Sequence, residues 1–434
     1  MRQWIKRFVQ RQLEGYARKT LKHYKPVVIG VAGSIGKTST KEAIYAVLSK
    51  SMLVRKSAKS YNNEFGVPLT VLGLESAFSS PVKWLLTLIQ AQSIASGNAI
   101  DYPECIVLEM GSDHLGDVHK LMAIAHPNIG VLTAIAPVHL EFFETFQNVK
   151  MEESTIVREL DEADAAIVNA DDQEASVYAK KTSAESITFG FAESAQVRGS
   201  NMKLFTQKEN GGFALSFTLQ LSGESADVLL PHALSASHAY AALAAAAVGK
   251  RLQMSISEIV QGLAEFVPPP GRMNYVEGIK HTHIIDDTYN SSPQAAEASL
   301  DVLKDFPTDG KRFAVLGDMA ELGNETKPLH VRVGAYVMGC ADVLITVGEK
   351  ARDIAHGARD AGMHEDDVFS FANSSEAGKF LQDRIKENDV ILIKGSQVAR
   401  LEKVVKEVMA EPNLAPELLV RQESYWQKSP KKIK

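Results

Sequence analysis

The sequence predicts an α/β protein of two domains, each built on a mainly parallel sheet, and three observations predict it. From Val27 to Phe266 apolar runs alternate with helical segments, the pattern of strands buried beneath helices. At Val267-Pro268-Pro269-Pro270-Gly271 the alternation stops, because such a run cannot continue a helix. Beyond it the apolar runs Arg312–Leu316, Val343–Val347 and Val390–Ile393 are again separated by helical segments, which reads as a second, Rossmann-like α/β unit. The expected division is an N-terminal helix over residues 1–26, a central domain over 27–270 and a C-terminal domain over 271–434.

In the first 25 residues Trp4, Ile5, Phe8, Val9, Leu13, Tyr16, Ala17 and Leu21 fall at helical spacing, with Arg2, Lys6, Arg7, Arg11, Arg18, Lys19 and Lys22 over much of the remaining surface. Two readings of this basic amphipathic helix stay open. One is peripheral contact of residues 1–25 with an anionic membrane; the other is a helix laying its apolar stripe on the body of the protein. Charges interrupt every possible signal-peptide core.

The candidate strands of the central domain are Val27–Val31, Cys105–Leu108, Ile129–Leu132 and Ala165–Asn169. Short alternating runs from Phe189 to Leu230, with Gly211-Gly212 as the hairpin turn, predict a small antiparallel element. The alanine-rich segment Ala239–Ala247 reads as a buried helix, and the lysine-rich tail from Pro430 as frayed.

Composition narrows the function. A chain of 434 residues, 45% hydrophobic and 23% charged, can bury large cores. A net charge of −6 gives no reason to expect nucleic acid as a partner. Cys105 and Cys340 are too few for a disulfide framework or a zinc site and read as reduced cytosolic thiols. The longest apolar stretches, such as Trp84–Ile89, fall far short of a membrane span of about 20 residues. A cytoplasmic monomer is expected.

The most informative stretch is Val27–Val47, an apolar run, a glycine loop and then a helix-like segment. In the loop Gly33-Ser34-Ile35-Gly36-Lys37-Thr38-Ser39, backbone N–H groups and the following helix N-terminus would face an anion. Lys37 would reach the β and γ phosphates of ATP and Thr38 would hold Mg²⁺. The pattern is the short form G-x-x-G-K-T, since Val31 stands where the longer form has its first glycine. The bland alternative is a glycine turn before a lysine-bearing helix. Glu109 and His139 follow two of the candidate strands. Alone, each reads as a cap, an ion-pair partner or a hydrogen-bonded structural residue. At the carboxyl ends of strands flanking a phosphate loop they become candidates for a hard cation.

The motifs GSIGKTST, YNNEFGVPLTVL, VLEMGSDHLGD, HLEFF, VNADD, PGRMNYVEG, IIDDTYNSSP, VLGDMAELG and IKGSQVARLEKVV occur in that order from about Val27 to Val405. Together they resemble the Mur ligase family, most closely the type joining D-alanyl-D-alanine to a UDP-N-acetylmuramoyl-tripeptide. The resemblance implies a P-loop ATPase domain, a C-terminal ligase domain closing over it, and an ATP-dependent amide-forming ligase of peptidoglycan precursor synthesis. Its substrates would be a UDP-muramoyl-peptide and D-alanyl-D-alanine, activated through an acyl phosphate. Matched residue by residue, Gly33, Ser34, Gly36, Lys37, Thr38 and Ser39 bind phosphate and Mg²⁺, and Asn63 is the active-site asparagine. Glu109 and His139 hold a second Mg²⁺, while Arg272, Asp287 and Asn290 contact nucleotide from the C-terminal side, Asp287 at the ribose. Two other functions stay open: the same chemistry on another carboxylate, and a catalytically weak ATP-binding scaffold.

Three departures from the family pattern matter. Many members place a carbamylated lysine fourteen residues after the histidine matching His139, and here that position is Glu153. A glutamate is already an anion, so the role can survive without the modification; a shifted alignment would instead offer Lys150. Members acting on UDP-linked precursors carry a uridine-binding domain ahead of the loop, where this sequence has 26 residues before Val27. Finally, Ser237-His238-Ala239-Tyr240-Ala241 replaces a His-Asn-x-x-Asn pattern beside the base, with His238 a possible substitute contact, and Ala295 replaces a serine.

Overall fold

The computed structural model describes residues 3–58, 61–77, 80–138, 140–206, 213–423 and 426. The chain divides into two compact units. The first comprises Met1–Lys203, Ser216–Pro231 and Ala236–Val267; the second comprises Leu204–Leu215, His232–Ser235 and Pro268–Lys434.

The first unit is built on a nine-stranded sheet: β1 (Val27–Ala32), β2 (Val54–Lys56), β3 (Cys105–Glu109), β4 (Ile129–Leu132), β5 (Ala165–Asn169), β6 (Glu185–Gly190), β7 (Val197–Thr206), β8 (Phe213–Leu221) and β9 (Glu224–Pro231), in the order β2-β3-β1-β4-β5-β6-β7-β8-β9. From β2 to β6 every pair is parallel. Strands β3, β4 and β5 are buried along their whole length, as expected of apolar runs covered on both faces. β8 and β9 are joined by Ser222-Gly223 alone, with φ of 52° and 87°, and a two-residue link permits only an antiparallel hairpin. The expected antiparallel element is therefore present, while its predicted turn at Gly211-Gly212 lies outside the described residues, as does the tail from Pro430.

The helices of this unit are α1 (Gln3–Tyr24), α2 (Lys37–Leu48), α3 (Gly66–Leu72), α4 (Pro81–Ala95), α5 (Asp117–Ile124), α6 (Leu140–Phe143), α7 (Phe146–Arg158), α8 (Ala236–Arg251) and α9 (Ile256–Leu263). α1 packs on the body through Val9, Leu13 and Ala17, which join the same core as Leu69, Trp84 and Leu108. Its C-terminal end is pinned: the Tyr24 ring stacks on Tyr102 at 4.2 Å and the Tyr24 hydroxyl accepts the Ala99 N–H at 2.8 Å. Trp4 and Phe8, from the same amphipathic pattern, stay exposed. Among the described residues no helix is long and apolar enough to cross a membrane.

The second unit holds a six-stranded sheet of β10 (Asn274–Glu277), β11 (His283–Asp287), β12 (Arg312–Gly317), β13 (Val343–Val347), β14 (Val368–Phe371) and β15 (Val390–Lys394), in the order β10-β11-β15-β12-β13-β14. All pairs are parallel except β10 with β11. Phe213, although it opens β8, is counted in this unit with the rest of Leu204–Leu215, its ring 4.3 Å from that of Phe306 and 5.2 Å from that of Tyr275.

Candidate active site

The glycine loop lies between β1 and α2. Gly33 has φ 133°, and a Cβ there would fall 2.1 Å from Thr133 Oγ1, so both the conformation and the space demand glycine. Gly36, with φ 87°, caps α2 without any side-chain cap bond, and the first turn carries no acidic residue. The first-turn N–H groups are thus offered to an anion, with the helix dipole behind them.

The loop is braced by the segment after β4. Ser34 donates from its N–H to Ala134 O at 2.7 Å and from its hydroxyl to Ala136 O at 3.0 Å, and Thr133 Oγ1 donates to Ile35 O at 2.6 Å. On the other side stands Glu153 of α7, buried, with Oε2 accepting the Gly33 N–H at 2.8 Å and Oε1 3.9 Å from Lys37 Nζ. Lys37 also donates to Gly33 O. Lys150 points elsewhere, pairing with Glu174 at 2.7 Å, so the shifted alignment does not bring its amine to the loop. Glu152 serves structure: its carboxylate accepts the N–H groups of Gly116 and Val118, both at 2.6 Å, at the start of α5, while burial raises its pKa.

Glu109 is the last residue of β3, opposite Val31 in the register, and is buried beside the start of the loop. Its Oε2 accepts no hydrogen bond and lies 3.6 Å from Lys41 Nζ. Lys41, fully buried one turn beyond Lys37, also donates to Ser57 O at 3.0 Å and sits 3.3 Å from Glu42. The asparagine that reaches Glu109 is Asn62, with Nδ2 3.4 Å from Oε1. Asn63 holds the start of α3 instead, its Oδ1 accepting the N–H groups of Phe65 at 3.1 Å and Gly66 at 3.0 Å. His139 lies outside the described residues.

A second cluster stands at the carboxyl ends of β11 and β15 in the second unit. Asp287 and Lys394 are register partners, and Lys394 Nζ, itself buried, donates to Asp287 Oδ2 at 2.6 Å and to Asn290 O at 3.0 Å. Ser299 Oγ donates to the same carboxylate oxygen at 2.8 Å, leaving Oδ1 with the long 3.3 Å contact from the Met273 N–H. The Arg272 guanidinium lies over the Tyr289 ring at 4.0 Å. Next to them Asp286 is wholly buried, and desolvation pushes its pKa up to about 7 against the pull of two Thr288 hydrogen bonds.

Comparison with known proteins gives this geometry its family. Residues 31–249 match the Mur ligase middle domain and residues 271–397 the Mur ligase glutamate ligase domain. The UDP-N-acetylmuramoyl-tripeptide–D-alanyl-D-alanine ligase of Escherichia coli is 30% identical over 383 residues, covering 87% of this chain and 76% of that protein. The chain belongs to the Mur ligase family. Its relative of the same name from Bacillus subtilis is 26% identical over 401 residues, covering 92% of this chain and 79% of its own. The crystal structure of MurF ligase from Thermotoga maritima in complex with ADP superimposes with a TM-score of 0.74 at 27% identity, covering 92% of this chain and 83% of that one. This Mur ligase is accordingly an ATP-dependent acid–amino-acid ligase.

The suggested base contact in the family pattern is His238. His238 is fully buried in α8, edge-on to Phe266 with ring centroids 6.0 Å apart. The neighbouring Tyr240 hydroxyl instead donates to Asp171 Oδ2 at 2.8 Å, and burial together with that carboxylate raises its pKa. Lys41, Asn62 and Lys394 were not singled out in the sequence. Lys41 had a signal, since four-residue spacing places it on the helix face of Lys37. Lys394 had none beyond its place at a strand end.

Proposed function

We propose that this Mur ligase uses ATP to join D-alanyl-D-alanine to the carboxylate of a UDP-N-acetylmuramoyl-tripeptide. The supporting relatives carry that activity in their names. The observation that carries the reading is the uncapped start of α2, with Lys37 on its first turn and the anionic Glu153 and Glu109 on the elements beside it.

The substrate carboxylate oxygen attacks the γ-phosphorus of ATP, the bond to the β–γ bridging oxygen breaks, and ADP leaves. Both reactants are anions, so positive charge must meet them. Lys37 and the N–H groups of the first turn of α2 supply it at the phosphates, where stabilisation of developing charge is worth most. Glu153 holds Gly33 and Lys37 in place. In the second step the amine nitrogen attacks the acyl carbon, loses its proton, and the tetrahedral intermediate expels phosphate with the former carboxylate oxygen.

Thr38, Glu109 and His139 are the residues that would hold Mg²⁺. The buried, hydrogen-bond-free Oε2 of Glu109 fits a hard cation, which would add charge screening at the phosphates. Arg272, Asp287 and Asn290 are assigned to the nucleotide on the strength of the motifs, with acceptor capacity on Asp287 Oδ1 for a hydroxyl. Asn62 joins Asn63 as a candidate active-site asparagine, because it faces Glu109.

Incubation with ATP, UDP-N-acetylmuramoyl-tripeptide and D-alanyl-D-alanine, followed by mass spectrometry, is expected to give ADP and the pentapeptide product. Lys37→Ala is expected to lower kcat at least about a hundredfold, roughly 2.7 kcal/mol, with the circular dichroism spectrum unchanged. Wild-type turnover by that variant contradicts the catalytic assignment. Product from other acceptor peptides but not this one leaves the chemistry standing and overturns the substrate.

A further inference from the structure

We propose that the face formed by α1 and α4 is a docking surface for an anionic lipid bilayer, on which the enzyme rests without inserting a span. α4 is apolar on two sides. Trp84, Thr87 and Ala91 face the core, while Val82, Leu85, Leu86 and Ile89, at three- and four-residue spacing, form a stripe 56–70% exposed. A helix whose outward stripe is this apolar has a partner to meet.

α1 lies alongside it. Lys6 Nζ is 5.3 Å from the Phe65 ring centroid and Phe65 is 6.0 Å from Trp84, which sets the start of α1 beside the start of α4. At the other end the His23 ring lies against Gly97, just past α4, so the two helices run in the same direction. α1 is held by its buried residues and by the Tyr24 anchor, so its outward residues are fixed in place. Those residues are Trp4 and Phe8, 66% and 55% exposed, accompanied by exposed Arg7, Arg11, Arg18, Lys19 and Lys22.

The charge pattern selects the occupant. α4 contains no acidic residue, and the one acid of α1, Glu14, is engaged by Gln10 at 2.9 Å and Arg18 at 3.4 Å. A second copy docked on the same patch about a two-fold axis would set these cationic faces against each other. An anionic bilayer meets both features at once: cations at the headgroups, apolar and aromatic side chains at the acyl boundary. At 15 residues α4 spans roughly 22 Å, too short to cross the hydrocarbon core, so it lies in the interface.

The test is flotation of the full-length protein with vesicles of phosphatidylglycerol and phosphatidylcholine in equal parts, against vesicles of phosphatidylcholine alone. Binding is expected to the anionic vesicles, weakened by salt, with a blue shift of Trp4 emission that Trp4→Phe removes. Leu85→Ser with Ile89→Ser is expected to weaken it at least about tenfold. Arg7→Gln with Arg11→Gln is expected to weaken it by about fivefold per cation. All five substitutions are on exposed positions and should leave ligase activity in solution unchanged. No binding to anionic vesicles overturns the proposal. So does a concentration-dependent dimer abolished by Leu85→Ser with Ile89→Ser, which would make the patch a self-association surface, or binding insensitive to both pairs.

Discussion

Glu153 occupies the place where many relatives of this chain are expected to carry a carbamylated lysine, and its carboxylate reaches both Gly33 and Lys37. A carbamate forms reversibly from carbon dioxide on an uncharged amine; a glutamate needs neither. Ligation is therefore expected to be unaffected by removal of bicarbonate at fixed pH and Mg²⁺. Glu153→Lys is expected to be poorly active and partly restored by added bicarbonate, since carbamylation returns an anion to that position. Loss of wild-type activity without bicarbonate contradicts the assignment. Position 153 was legible because it sits at a fixed distance from a motif. Asn62 was harder to see: two adjacent asparagines differ only in which one spends its carbonyl on the turn into α3, and that choice is made by backbone geometry. The burial of His238 was not legible either, because a histidine beside small residues looks available, whereas α8 buries it.

Among the elements, the strands β1, β3, β4, β5, β12, β13 and β15 were readable because near-complete burial favours runs rich in Val, Ile, Leu and Ala. β2 and β14 are edge strands with partly exposed residues, and β10 alternates more and less buried positions over four residues, so none of them shows the unbroken apolar run that marks a buried strand. α1 was readable as amphipathic, but its pattern mixes residues that pack inward with residues that point out. Leu13 belongs to the first group and is fully buried. Leu13→Ala is expected to destabilise the protein by about 2–5 kcal/mol, the usual cost of such a cavity. Denaturant unfolding checks this, and an unchanged midpoint would mean that α1 is not part of the folded core. The outward residue Phe8 should tolerate Ala with little change.

For the whole molecule, the family match runs through both units, yet the break at the prolines does not separate them cleanly in sequence. Leu204–Leu215 and His232–Ser235 belong to the second unit although they are contiguous with strands of the first, and non-local packing of this kind leaves no trace in a linear pattern. The central claim is a chemical one: this chain activates a peptide carboxylate as an acyl phosphate before the amine arrives. The direct measurement is oxygen transfer. With the acceptor carboxylate of the UDP-N-acetylmuramoyl-tripeptide labelled with heavy oxygen, and ATP and D-alanyl-D-alanine unlabelled, the inorganic phosphate is collected and its mass determined. An acyl phosphate requires one labelled oxygen in each phosphate released with product, because the former carboxylate oxygen leaves bonded to phosphorus. Unlabelled phosphate accompanying product would contradict the account.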